Sequence, residues 1–175
     1  MNGTRRGWLA AGLAVAAMCG AGTLASQEPH EDEGSPAAAA KAALSAHVTL
    51  QRGLAASASH GRAISAKFEV DEGKSQLSVY TMKGGKFYEV TVDPNSGHVV
   101  KTEDIGAGED YTAAQGQSAA MAKAKKSLQA AVAQALRGNS GFRAVSVMPS
   151  LKGDRPVAEV TIAKGEDTKT VSVPL

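Results

Sequence analysis

The chain has 175 residues, one cysteine, 4% aromatic residues and a formal net charge of +2. That length bounds it to one ordinary domain or two small ones. The near-neutral charge excludes a nucleic-acid-binding surface built on electrostatics, and a single cysteine excludes an internal disulfide framework.

At the amino terminus, Arg5 and Arg6 precede an apolar run from Trp8 to Met18, and Thr23-Leu24-Ala25 places small residues where a signal peptidase cuts. Residues 1–25 are therefore expected to be a secretory signal cleaved after Ala25. The run is mostly Ala and Gly, too weakly apolar for a stable membrane span after cleavage. Thr4-Arg5-Arg6-Gly7-Trp8-Leu9 also resembles the twin-arginine export motif, with Trp8 in place of the usual Phe. Cys19 lies inside this segment behind Met18, not behind the small residue that lipid attachment requires. Without Arg5 and Arg6, Lys+Arg falls from 19 to 17, against 17 Asp+Glu. The expected mature protein is neutral, free of thiols, and periplasmic or secreted.

Residues 26–47 read as a flexible acidic, then Ala-rich, leader. His30 among Glu28, Glu31, Asp32 and Glu33 implies no fixed ligand geometry, so a solvated tail is preferred to a cation site. Residues 39–44 are helix-prone by propensity alone.

Residues 48–101 form the first expected module. Thr49 can cap a short helix whose inner face carries Leu50, Leu54 and Ala58. Gly53 inside it should cost roughly 1 kcal/mol relative to alanine, and His60-Gly61 ends it. Ile64, Ala66, Phe68 and Val70 then alternate with polar residues, the period of a strand with one buried face. After the turn at Asp71-Glu72-Gly73-Lys74, Leu77 and Val79 alternate with Ser78 and Tyr80. Lys83-Gly84-Gly85-Lys86 is a tight hairpin, since two glycines accept positive φ at both central positions. Tyr88, Val90 and Val92 are read as the inward face of a third strand, which Asp93-Pro94-Asn95-Ser96-Gly97 closes with turn chemistry.

This layout resembles the PepSY family of small bacterial exported modules. Thr49-Leu50, Ala55, Gly61, Tyr88-Glu89-Val90 and Val92-Asp93…Gly97 match its short helix, following glycine, alternating strands and closing V-D-x-x-x-G turn, over about fifty residues. Those are packing and turn positions, so the resemblance implies a fold and assigns no catalytic residue. It also implies two contexts: propeptides that restrain secreted metallopeptidases, and extracytoplasmic parts of membrane or sensory proteins.

Residues 102–117 are Gly- and acid-rich and read as a linker. Glu103, Asp104, Glu109 and Asp110 lack the spacing of an EF-hand calcium loop. Residues 118–136 read as one amphipathic helix, with Met121, Leu128, Val132 and Leu136 near one stripe. Residues 118–175 look like a degenerate second copy. Leu50-Gln51-x-x-Leu54-Ala55 parallels Leu128-Gln129-x-x-Val132-Ala133, and Ile64-x-Ala66 parallels Val145-x-Val147. Lys83-Gly84 parallels Lys164-Gly165, and Val90-x-Val92 parallels Val171-x-Val173. Pro149 cannot donate to a ladder, which places its strand at a sheet edge.

The fold class is therefore α+β: two small modules, each a helix on a three-stranded antiparallel sheet, and each marginal alone. They are expected to pack on one another or on a partner. Tyr80, Met82 and Phe87 point away from the helix-covered face and form either a candidate protein-binding patch or a surface covered by the linker or the second module. The matching positions in the second copy (Val157, Glu159, Thr161, Thr170, Ser172) are more polar.

The sequence contains no G-x-S-x-G, H-E-x-x-H or phosphate loop, and no catalytic or metal-ligating residue or cofactor is assigned. His47, His60 and His98 are scattered over separate elements. The leading expectation is an exported, non-enzymatic protein that binds an envelope protein, with modulation or inhibition of a peptidase as a finer reading. The alternative is a small-ligand or divalent-metal-binding periplasmic protein.

Overall fold

Ser35 and Thr49 stand directly before runs of good helix formers, and both act as caps in the computed structural model, which describes residues 34–175. The signal segment, the twin-arginine motif, Cys19 and the His30 cluster lie outside the described residues. Ser35 Oγ accepts from the Ala38 amide at 3.1 Å and Pro36 occupies the first turn of helix α1, Pro36–Ser45. Most of the second half of the expected flexible leader is thus a helix. The reason is its small side chains: Ala38, Ala40, Ala42 and Ala43 are buried, letting the helix lie close against the sheet. Thr49 Oγ1 accepts from the Arg52 amide at 3.2 Å and opens α2, Leu50–Ala56, as expected. A single 3-10 turn, Ser57–His60, follows.

The strands form where apolar and polar residues alternate. They are β1 (Arg62–Asp71), β2 (Lys74–Lys83), β3 (Lys86–Val92) and β4 (Val99–Asp104), then β5 (Arg143–Lys152), β6 (Arg155–Lys164) and β7 (Asp167–Pro174). Gly84 and Gly85, at φ 60° and 78°, make the expected two-residue hairpin between β2 and β3. Between β4 and β5 lie α3 (Gly108–Lys123) and α4 (Leu128–Arg137). The expected linker is therefore the end of β4 and the first half of α3, and the single helix expected over 118–136 is broken. Ser127 turns the chain there, its Oγ accepting from the Ala130 amide at 3.2 Å to cap α4.

The two expected sheets are one. All seven strands are antiparallel, in the order β4-β3-β2-β1-β5-β6-β7. The halves meet through β1 and β5, which pair only at Ala66↔Val147 and Lys67↔Ser146. Pro149 limits this seam at one end. Leu175 donates to the Pro156 carbonyl at 3.0 Å, so the alternation of an antiparallel ladder makes Ala158↔Val173 a hydrogen-bonded pair. Ala158 thus directs its backbone groups toward β7. Pro149, opposite Ala158, turns its nitrogen away from β6 and toward β1, where no donor is available. The expectation of an edge strand is corrected: β5 is central, but its β1 side stops pairing before the proline.

Helices α1, α2 and α4 cover one face of the sheet and bury Ile64, Ala66, Phe68, Leu77, Val79, Val90, Val147, Val160 and Ile162. α1 spans the seam, contacting β1, β5 and β6. Arg143 crosses from the second half to the first, donating to the Val48 carbonyl at 2.9 Å. Edge-to-edge joining gives two marginal halves a shared core, which answers the stability problem posed by their size.

Candidate functional site: the outer sheet face

Met82 and Phe87 are directly opposed across the β2–β3 hairpin, and Tyr80 is two residues back on the same side. The three expected patch residues do share a face, turned away from α2. They are not exposed. Helix α3 runs across this face, stacking Tyr111 edge-on against Phe87 with ring centroids 5.5 Å apart. Tyr80 is 5% exposed, Phe87 7%, and Met82 is half-buried. The expected open patch is covered because the supposed linker folds into the helix that lies over it.

Polar contacts fix α3 in register. Gln117, itself buried, accepts from Ser65 Oγ at 2.6 Å and approaches the Met148 sulfur at 3.9 Å. Arg62 donates to the Met121 carbonyl at the far end of the helix, and Lys123 pairs with Asp154 at 2.8 Å.

Beside the aromatic patch lies a cluster that sequence reading missed. Lys67 and Glu69 on β1, Ser78 on β2 and Glu89 on β3 occupy neighbouring positions of the same face. Ser78 Oγ is 2.5 Å from Glu69 Oε1 and 2.8 Å from Glu89 Oε1. A hydroxyl carries one proton, so it can donate to only one carboxylate at a time. Lys67 forms an ion pair with Glu69, and Gln76 Nε2 donates to Glu69 at 3.2 Å. Burial raises the Glu89 carboxyl above the usual range, opposed by the Ser78 hydrogen bond and Lys67 and reinforced by Glu69 and by Asp110 of α3. In the sequence these residues are simply the polar half of a strand alternation. Only the register brings two acids onto one serine.

The remaining polar candidates stay apart. His60 Nδ1 lies 3.3 Å from Thr102 Oγ1, while the backbone amides of His47 and His98 serve the 93–98 turn. Of the linker acids, Glu103 pairs with Lys101 at 2.9 Å. Asp104 lies 4.0 Å from Lys86. Glu109 and Asp110 sit in the first turn of α3, where the helix dipole favours negative charge. Among the described residues no group of three or more His, Cys, Asp or Glu is placed to hold a metal ion. No helix of the described residues is long and apolar enough to cross a membrane. A shallow groove of about 430 Å³ opens where Leu54 and Arg62 face Met121 and Leu128. Two of its three cations have partners in the protein: Arg62 holds the Met121 carbonyl, and Lys126 holds Gln134 and the Pro174 carbonyl.

The two sheet edges differ. β4 is bulged: Thr91 faces Lys101 and Val92 faces Val99, leaving Val100 as an extra residue, 64% exposed. A bulge twists an edge out of register with an incoming strand. β7 pairs with β6 without any shift from Val157↔Pro174 to Lys164↔Asp167. With Ala158↔Val173 hydrogen-bonded, the amides of Thr170 and Ser172 point outward. Pro174 occupies the same outward register, a position where a strand tolerates proline.

Residues 35–103 match the family model PepSY, described as "Peptidase propeptide and YPEB domain". The matched segment starts at the cap of α1 and ends in β4, so it includes a helix beyond the expected module of residues 48–101. No curated protein matches the chain. Among solved structures, a candidate lipoprotein from Clostridium difficile 630 aligns at 17% identity over 67% of this chain and 77% of that one, with a TM-score of 0.35. Spanning α1 to β4, residues 35–103 are similar to the PepSY domain, a match over 69 of the 175 residues.

Proposed function

We propose that this is an exported, non-enzymatic PepSY-domain protein that binds another envelope protein by strand addition at β7, and that the bound partner is a peptidase whose activity it modulates. The open β7 edge carries this reading. It is eight residues long, unbulged and rich in Thr and Val. It also presents outward amides at Thr170 and Ser172, as strand addition requires. The family description, which names a peptidase propeptide, supports a peptidase as the partner class, and the signal pattern of residues 1–25 supports export.

The test is affinity capture from an envelope extract with the wild-type chain and Thr170→Pro, paired with peptidase assays of whatever is bound. Proline at 170 removes an outward donor without breaking a β6–β7 bond. The expected result is a stoichiometric peptidase that loses activity on binding wild type and escapes the variant. Capture that survives Thr170→Pro, or a folded wild-type bait that retains nothing, would refute strand addition at β7.

A further inference from the structure

We propose that α3 is a strap that opens off the outer sheet face without unfolding the sheet, and that the Glu69–Ser78–Glu89 cluster beside its first turn sets how readily it opens. The inference concerns the isolated chain and does not depend on the binding reading. If both hold, opening would present Tyr80, Met82 and Phe87 to a partner.

For its length, the attachment of α3 is lighter than that of α4. Its buried side chains are Ala114, Gln117, Ala120 and Met121, against Leu128, Ala131, Val132 and Ala135 for α4, which is six residues shorter (16 versus 10). No side chain caps its first turn, where Ala107 stands at the cap position between Gly106 and Gly108. Gly108 at φ +87° and the non-helical 124–127 turn give it a pivot at each end. Of its side-chain ties, the Lys123 pair ends on an aspartate that is almost fully exposed. A segment with few buried apolar contacts is drawn from the low end of local stability. The other face of the sheet keeps its own cover in α1, α2 and α4.

Charge adds to the imbalance. Glu89 is faced by Lys67 and Glu69 from β1, by Ser78 and Tyr80 from β2, by Glu103 opposite it on β4 with Lys101 as that residue's partner, and by Asp110 from α3. Closing the strap brings Asp110 toward Glu89 and removes water from it. Ionised Glu89 therefore favours the open form, and protonated Glu89, which can itself donate a hydrogen bond within the cluster, favours the closed one.

Amide hydrogen exchange on the full chain tests this, with rates divided by their intrinsic values at each pH. α3 amides should open at least about tenfold more readily than those of β1 and β2. Their opening constant should rise severalfold from about pH 5 to about pH 7, and Glu89→Gln should flatten that rise and slow α3 exchange at neutral pH. Tyr111→Ala should accelerate α3 alone. Exchange of α3 in step with β1 and β2 at every pH, an intact pH dependence in Glu89→Gln, or equal acceleration of strap and sheet in Tyr111→Ala would overturn the proposal.

Discussion

Replacing Gly53 with alanine sets two effects of known sign against each other. Within a helix, alanine is favoured over glycine by about 1 kcal/mol, so on local grounds the substitution should stabilise α2. A Cβ at this position would lie 2.2 Å from Leu77 Cδ2 and 2.9 Å from its Cγ, whereas carbon atoms rest about 3.5–4.0 Å apart. Leu77 cannot swing aside. It is fully buried on β2, between Phe68 opposite it on β1 and Val92 opposite it on β3. Overpacking of this kind costs about 1–3 kcal/mol, so Gly53→Ala should be destabilised by about 1 kcal/mol net. Leu77→Ala alone should lose about 2–5 kcal/mol. Because it also removes the clash, the double variant should be less destabilised than the sum by about 1–3 kcal/mol. Urea unfolding of the four proteins, followed by circular dichroism, measures that coupling. An additive cycle, or a Gly53→Ala protein about 1 kcal/mol more stable than wild type, would show that helix and strand are not in the contact argued here.

Ser127→Ala should cost about 1 kcal/mol in the same assay, by removing the acceptor for the Ala130 amide at the start of α4. Asp93 Oδ1 accepts from the Asn95 and Ser96 amides and from Ser96 Oγ, and these bonds hold its carboxyl below the usual range. Its stabilisation is therefore present above the unfolded-state pKa and lost as pH falls through the lowered one; thermal melts of Asp93→Ala should lie below wild type at neutral pH and converge with it in acid. Glu89 has the opposite sign. Its carboxyl is raised, so the ionised group weakens the fold at neutral pH and the penalty disappears below the unfolded-state pKa. Glu89→Gln should accordingly raise the melting temperature at pH 7 and lose that advantage in acid, and an unchanged difference across the range would refute the assignment.

Much of the first half is legible locally. Thr49 capping α2, the alternation of β1 to β3, the Gly84-Gly85 hairpin and the Asp93–Gly97 turn each depend on residues within a few positions of one another. Helix α3 is not legible in this way. Its first ten residues, GEDYTAAQGQ, have the glycine and acid content of a linker, and its buried side is too small to register as an amphipathic stripe. Helix α1 escaped for a related reason: an all-alanine face carries propensity without a hydrophobic period.

The sequence by itself determined the α+β class, the PepSY-like order of elements, the inward and outward sides of the strands and the placement of Tyr80, Met82 and Phe87 on one face, because each follows from local geometry. Tertiary structure alone decided that the two halves share a sheet through Ala66 and Val147, that α3 buries the aromatic patch, that Glu69 and Glu89 meet at Ser78, and that Gly53 is required by Leu77. Those outcomes depend on contacts between residues far apart in the chain, where strand register and the space left between packed elements, not propensity or periodicity, set which side chains touch.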